Sequence, residues 1–388
     1  MRSLSKRTEN FTDSVIRRMT RVSNKYGAIN LSQGFPDFEP PEEVLKRLRE
    51  VSHEDYHQYS ITWGAQNTRK ALAKKESLLM GIEIDPEKEV VITCGGTEAM
   101  MAAMMTICNP GDKIAVFSPF YENYGADAIL SGAEPIYVPL KPPAFTFDPQ
   151  VLEQTFRDGA KALILCNPSN PSGKVFTYQE MELIADIVKK YDAYVVTDEV
   201  YEHIVYAPNK MIYMASLPGM RERTISTGSL SKTYSITGWR LGYTIAPEEI
   251  TERIKKVHDF LTVGAAAPLQ EAVVTGLNFG QKYYDDLLEM YTKKRELFCS
   301  GLENAGLKYY KPQGAYYVLV DISEWNYESD LEFCTDLAEK VGVGAVPGSS
   351  FFHENVNHLI RFHFAKKDET LISALERLES IHQKIRRR

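Results

Sequence analysis

The sequence predicts an α/β protein: a large domain built on a mostly parallel seven-stranded sheet covered by helices, followed by a smaller α+β domain. Three observations carry this. Short apolar runs rich in β-branched residues recur seven times between Glu89 and Pro247. Helical patterns of apolar residues separate several of them, as strand-helix alternation in a parallel sheet requires. Beyond about Pro268 the pattern changes to one long helical stretch followed by irregularly mixed strands and helices.

Taken in order, "SVIRRMTRVSNKYG" has helical spacing and stops at Gly27, the residue type a helix C-terminus favours. The runs "EVVITCGG", "KIAVFSP", "EPIYVPL", "KALILCNP", "AYVVTDEVY", "TISTGSLS" and "RLGYTIAP" have the length and composition of buried strands. "TEAMMAAMMTIC" and "TYQEMELIADIVKKY" read as helices between them. The later part reads as a helix through "EMYTKKRELFCSGLENAG", a strand "GAYYVLVDI" and a helix "DLEFCTDLAEKVG". The segments "GVGAVPGSSF" and "LIRFHFA" come next, with a last helix from about Asp368. The expected division is an arm with part of the small domain at 1–45, a large domain at 46–285 and a small domain at 286–388. The arm is expected to pack on the smaller domain.

The chain has 388 residues, 44% hydrophobic and 25% charged, which suits a globular fold with a large core. A net charge of -7 argues against a nucleic-acid surface. The basic end "KIRRR" is too short to reverse that and reads as a frayed, solvated helix end. The five cysteines are scattered and odd in number, without a C-x-x-C pair, which argues against a disulfide framework or a zinc site. The eight histidines form no spaced ligand set. The closest group, His353, His358 and His363, makes a weak metal candidate, and no metal is expected. No apolar run has the length of a signal peptide or a membrane span. The expectation is a cytoplasmic protein with no membrane or nucleic-acid partner. No G-x-S-x-G, no Walker lysine motif and no G-x-G-x-x-G after a predicted strand is present.

In an open α/β sheet, ligands gather beyond the carboxyl ends of the strands. The residues able to do chemistry lie there, and each also has a plainer reading. "CGGTEA" ends a strand and opens a helix, so the backbone at Gly96 and the Thr97 hydroxyl suit a phosphate; the alternative is a simple tight turn. "DEVY" places Asp198 at a strand end, able to hold a protonated ring nitrogen or merely to cap a helix. Tyr201 lies three residues later with a phenol that can donate to an oxyanion. Asn170 in "NPSNPSG" fits a ligand-facing loop, or only a turn. Tyr121 can stack on a flat ring or fill the core. Arg361 sits in an apolar strand with no partner in its own segment, which points to an anion.

The run "TISTGSLSKTYSITGWRLG" surrounds Lys232 with Ser229, Ser231 and Thr233 and no carboxylate, with Arg240 eight residues on. Such a lysine can become neutral and nucleophilic, or be held as a Schiff base. A phosphate turn, a ring-nitrogen aspartate, a phenol, an asparagine and a stacking aromatic are together the contacts that pyridoxal phosphate needs.

On these motifs the chain resembles the class I/II aminotransferases, the fold-type I pyridoxal-phosphate-dependent transferases. The resemblance runs from "INLSQGFPDFEPPEEV" to "RFHFA", with "NPSNPSG", "DEVY" and "SLSKTYSITGWRLG" its most specific parts. "LSQGFPDF" is most similar to the branch of kynurenine, glutamine-phenylpyruvate and methionine aminotransferases, with aspartate and aromatic aminotransferases close by.

The resemblance implies pyridoxal 5'-phosphate as cofactor and transfer of an amino group between an L-amino acid and a 2-oxo acid. It makes Lys232 the Schiff-base lysine and proton shuttle, Asp198 the partner of the pyridine nitrogen, and Tyr201 and Asn170 the donors to the ring oxygen. Tyr121 would stack on the ring, where a tryptophan or phenylalanine is often found. Gly96, Thr97, Ser229 and Arg240 would hold the phosphate. Arg361 would bind the substrate α-carboxylate, with Gly34 contacting substrate through its backbone. Tyr59 would reach the phosphate of a neighbouring subunit, which implies a homodimer with shared active sites.

The segment "LTVGAAAPLQ" lacks the arginine with which some aspartate enzymes meet a second carboxylate. The implied pocket walls, Phe35, Tyr59, Trp63, Tyr121 and Gly264 to Ala267, carry no cation. Aromatic, methionine-like or other neutral donors are therefore expected over aspartate. The alternatives are an aspartate aminotransferase, or a carbon-sulfur β-lyase that releases ammonia and pyruvate without an oxo-acid acceptor. A non-enzymatic relative is a third, opposed by the intact lysine, aspartate and arginine and by an N-terminus too short for a DNA-binding extension.

Overall fold

The computed structural model describes residues 3–9 and 14–387. Residues 1–2 and 10–13 of the arm and Arg388 of the basic end lie outside the described residues. All seven apolar runs form strands: β1 Val90–Thr93, β2 Lys113–Ser118, β3 Glu134–Pro139, β4 Ala160–Cys166, β5 Tyr194–Asp198, β6 Thr224–Ser229 and β7 Gly242–Ile245. They make one sheet in the order β1-β7-β6-β5-β4-β2-β3. The pairs β2-β3, β2-β4, β4-β5 and β5-β6 are parallel, and β7 runs antiparallel to both neighbours. β1, β6 and β7 are wholly buried and β2 and β4 nearly so, which is why most of them read as continuous apolar runs.

Four helices bear on the functional residues: α1 Val15–Tyr26, α2 Gly96–Ile107, α3 Asn123–Leu130 and α4 Glu248–Thr262. Helix α1 begins at Ser14, whose hydroxyl accepts from the Arg17 amide, and ends at Gly27 in the left-handed region, at φ 61°. A residue with a Cβ would be strained there. The Ser14 hydroxyl also donates to Glu122, just before α3, which accepts from the Ile16 amide as well.

The later part of the chain forms an antiparallel sheet in which Leu359–His363 lies between Val346–Pro347 and Tyr317–Asp321, with Lys308–Tyr310 at the edge. The long helix Gln281–Asn304 and the helix Asp368–Leu378 cover it. Their shared core contains Phe298, Val318, Phe362 and Leu371, and it also takes in Met19 of α1 and Leu31. The N-terminal helix is thus built into the core of the C-terminal sheet. A short parallel ladder, Ile29–Asn30 with Val343–Gly344, ties the two.

The basic end differs from its expected form. Ile381 and Ile385 are buried, and the Trp325 indole donates to the Ile385 carbonyl at 3.2 Å. Two apolar anchors spaced by one helical turn dock the terminus, and only its charged side chains face solvent. Among the described residues, no helix is long and apolar enough to cross a membrane.

Candidate active site

The parallel strands deliver their carboxyl ends to one cavity of about 540 Å³. Gly34, Phe35, Gly96, Thr97, Tyr121, Asn170, Asp198, Tyr201, Ser229, Lys232, Arg240 and Arg361 all line it. Register explains part of this convergence. Cys166 pairs with Asp198, and Asp198 with Thr227, so β4 and β5 end level and β6 runs on to Ser229 at the cavity.

One end of the cavity is built for an anion. Strand β1 turns through Gly95, at φ 88°, into α2. A Cβ at Gly95 would collide with the Arg240 guanidinium, and one at Gly242 with the backbone of Gly95 and Gly96. Bare backbone therefore brings the first amides of α2 beside Arg240 and the Ser229 end of β6. Helix N-termini leave such amides without partners in the helix and carry partial positive charge.

Lys232 lies at the floor. Its ammonium donates to the Gly34 carbonyl at 2.9 Å. Burial pulls its pKa down from the ordinary 10.5 to about 8, helped by the Arg240 and Arg361 charges and opposed by Asp198. Asp198 accepts from the Tyr124 hydroxyl at 2.6 Å and from the Val200 amide at 3.3 Å. Burial raises its pKa, and those hydrogen bonds work the other way. The Tyr121 and Tyr124 rings meet edge to face, 5.9 Å apart, so Tyr121 packs on the residue that holds Asp198.

Arg361 is 1% exposed and has no acid within ion-pair distance among the described residues. Its guanidinium donates to Asn170 Oδ1 at 2.7 Å and to the Ser32 carbonyl at 3.0 Å. It is sandwiched between the Tyr317 and Phe351 rings, 4.3 and 4.4 Å from their centres. Among the described residues its Nε has no partner, nor does the buried Ser231 hydroxyl. Tyr201 pairs with the Tyr317 hydroxyl at 2.8 Å.

Tyr59, Trp63 and the Gly264–Ala267 run are not brought to this cavity. Tyr59 is 87% exposed and lines a separate crevice with His57, Ser60 and Val263 to Pro268. Trp63 packs beside the α2 core instead. The expectation of walls without a further cation is also corrected, because Arg17 lines the cavity. Helix α1 buries Met19 against the C-terminal sheet, and that orientation sends Arg17 to the mouth.

Sequence reading also passed over Tyr124, Tyr317 and Asp127. Tyr124 stands in α3, in the same "FYENY" run as Tyr121, a second phenol at the same strand end. Asp127 is 2% exposed, and burial and the Asp198 charge push its carboxyl up to about 8.

Behind Asp198 and Tyr201 lies a buried polar network. Lys75 bridges Glu76 at 2.6 Å and Glu202 at 2.8 Å, and the Tyr213 hydroxyl donates to Glu202 at 2.8 Å. Removing one member of a buried pair leaves its partner's charge uncompensated. The segment carrying Asp198 and Tyr201 is thereby anchored from below.

The sequence profile described as aminotransferase class I and II matches residues 26–378. The chain belongs to that family. It is 34% identical over 369 residues to methionine aminotransferase of Escherichia coli K12, covering 95% of this chain and 96% of that one. It is 33% identical over 403 residues to human kynurenine–oxoglutarate transaminase 3, covering 96% and 89%. The solved structure of N-succinyldiaminopimelate aminotransferase from Mycobacterium tuberculosis superposes with a TM-score of 0.94 at 33% identity, covering 98% and 100%. The fold is that of the fold-type I aminotransferases, as the resemblance implied. The protein is a pyridoxal-phosphate-dependent aminotransferase, acting on an amino acid and a 2-oxo acid.

The residues present fit this cofactor. The cavity joins an anion-binding turn with Arg240, a buried carboxylate held by the Tyr124 hydroxyl, and a lysine on which the Arg240 and Asp198 charges both act. The unpaired Ser231 hydroxyl and Arg361 Nε are buried polar atoms of the kind a bound polar ligand satisfies.

The lowered lysine has a direct readout. In the cofactor-free chain, acylation of Lys232 by acetic anhydride should rise along a titration centred near pH 8, where an ordinary lysine titrates near 10.5. Peptide mass spectrometry across pH tracks it. A Lys232 curve that coincides with the exposed lysines would refute the burial argument.

Proposed function

We propose that the cavity residues share out the transamination chemistry among themselves. Gly96, Thr97, Ser229 and Arg240 hold the cofactor phosphate, and Tyr121 covers the ring. Asp198 keeps a proton on the ring nitrogen, with Tyr124 orienting the carboxylate. Tyr201 and Asn170 donate to the ring oxygen. When bound, the cofactor supplies an electron sink that acidifies the Cα–H of the amino acid. Lys232 attaches the cofactor and, once released, carries the proton from that carbon through Nζ. Its lowered pKa leaves a useful neutral fraction near neutral pH. Arg361 offers a planar fork to the α-carboxylate, already oriented by Asn170 and two aromatic rings. Gly34, next to Lys232, contacts the substrate through its backbone.

The observation that carries this reading is the Lys232 ammonium, held by a backbone carbonyl instead of an ion pair. Borohydride reduction of the holoenzyme should fix the cofactor to the Lys232 peptide. Lys232→Ala should lose at least the ~10²–10⁴-fold in turnover that a positioned acid-base group supplies. Label on another lysine ends the assignment.

Two of the relatives and the cavity walls support a neutral donor. The methionine and kynurenine names belong to the similar proteins. In this chain Phe35, Ile16 and Tyr121 face the cavity, and the added cation is Arg17, exposed at the mouth. A second carboxylate deep in the pocket meets aromatic surface and loses hydration without full return. At the mouth Arg17 accepts a longer acid such as glutamate or 2-oxoglutarate. We expect kcat/KM for methionine and aromatic donors to exceed that for aspartate, and Arg17→Gln to depress glutamate more than methionine. Aspartate leading by tenfold, about 1.4 kcal/mol of transition-state preference, would overturn the donor assignment.

A second copy of the chain is the proposed partner. Tyr59, Ile61, Phe260, Leu261 and Val263 leave large apolar groups exposed, Phe260 at 92%, beside the crevice that holds Tyr59. Patches of this kind mark interfaces. In a homodimer Tyr59 would reach the neighbouring phosphate site. Sedimentation should give twice the 44.0 kDa chain mass; a fully active monomer would exclude shared sites.

A further inference from the structure

His258 is fully buried on α4, outside the cavity, and takes no part in the chemistry assigned to the cavity residues. Its Nδ1 faces the Glu98 carboxylate at 3.0 and 3.1 Å, and its Nε2 faces the Thr62 carbonyl at 2.8 Å. A carbonyl oxygen and a carboxylate both accept hydrogen bonds. Satisfying both requires a proton on each ring nitrogen, which is the imidazolium. Glu98 stands in the first turn of α2, two residues after Gly96, and accepts from the Cys94 amide at 3.0 Å. Left alone, that carboxylate would set a negative charge beside the turn where a phosphate must bind.

We propose that His258 is a positioning residue. As an imidazolium it cancels the Glu98 charge next to the phosphate-facing turn and pins that turn to the Thr62 segment. The proposal rests on the reading that Gly96 and Thr97 face the cofactor phosphate.

The surroundings are few. Glu98 faces His258 from α2, and Asp259 lies next to it on its own helix. From the β1 turn comes the half-buried Cys94 thiol, with Arg240 beyond it. The Thr62 segment offers a carbonyl and the Trp63 ring, which Lys255 of α4 covers at 4.9 Å. The Thr262 hydroxyl is 3.2 Å from Nδ1 and from the His258 carbonyl. Burial opposes the charge, and the Glu98 hydrogen bond and charge with the Thr62 carbonyl outweigh it, so the His258 pKa lies above the ordinary 6.5. The raised pKa fixes the sign: the neutralising charge is fully present below about 6.5 and is lost as pH rises through the folded-state value.

The test is the cofactor dissociation constant, measured on holoenzyme by equilibrium dialysis and fluorescence across pH. His258→Gln should bind pyridoxal phosphate roughly tenfold more weakly than wild type at low pH, about 1.4 kcal/mol. The ratio should shrink toward one as the wild-type imidazolium loses its proton. Glu98→Gln/His258→Gln should recover to within a small factor of wild type. A ratio independent of pH, or a double variant as weak as the single, overturns the proposal. Should His258→Gln fail to fold, Glu98→Gln decides alone: wild type should match it at low pH and bind more weakly at high pH, and a flat ratio refutes. Arg240→Gln separates the two readings. If it leaves cofactor affinity unchanged, the phosphate assignment fails; if it weakens affinity while the ratios stay flat, the His258 assignment alone fails.

Discussion

Lys232, Arg240 and Arg361 share one cavity, and among the described residues Asp198 is the carboxylate whose charge acts on the lysine. Unpaired charge removed from water is costly, so this arrangement persists only if the fold over-determines it or a ligand completes it. The chain does both. Backbone carbonyls and aromatic faces hold the cations in place: Gly34 for Lys232, Ser32 and two rings for Arg361, Thr237 for Arg240. The bound anions then supply the missing charge. A site of this kind is less stable empty than full, and its ligands stabilise the fold in proportion to how tightly they bind.

The network beneath Asp198 serves the opposite purpose. Lys75, Glu76 and Glu202 are buried with their charges matched among themselves. Burial and the Glu202 charge raise the Glu76 pKa, so the cluster need not carry a net negative charge. It gives the Asp198–Tyr201 segment a rigid floor without adding to the field in the cavity. Uncompensated positive charge in the cavity and compensated charge beneath it leave Lys232 short of a counter-ion.

Much of this was legible in the sequence because it lay in contiguous signals. Each large-sheet strand is a local apolar run, and the residues at their carboxyl ends are found directly from where such runs stop. Lys232 stood out because its neighbours in sequence lack carboxylates; in space Asp198 acts on it through its charge, but the ammonium forms its hydrogen bond with the Gly34 carbonyl. What escaped depended on distant contacts. Arg17 reads as one of several surface arginines on an amphipathic helix, and only the docking of Met19 turns it to the cavity. Tyr317 meets Tyr201 across 116 positions, and Arg361 meets Asn170 across 191. His258 looks like any helical histidine until the Thr62 and Glu98 acceptors are placed around it. The buried Ile385 was hidden for another reason: three arginines after it dominate any local reading of charge.

Helix α1 is attached differently from the sheet it helps to cover. Its core contact runs to the C-terminal sheet through Met19, and its start is latched to Glu122 by two hydrogen bonds. The glycine turn, Arg240 and Asp198 belong to the large sheet, and α1 reaches that part of the molecule at Glu122. The two ends of the cavity are therefore separable engineering targets. A combinatorial library confined to Ile16 and Arg17 would vary the entrance while leaving the Gly34 carbonyl that holds Lys232 with its native neighbours, so selection on it would report substrate fit with little noise from cofactor loss.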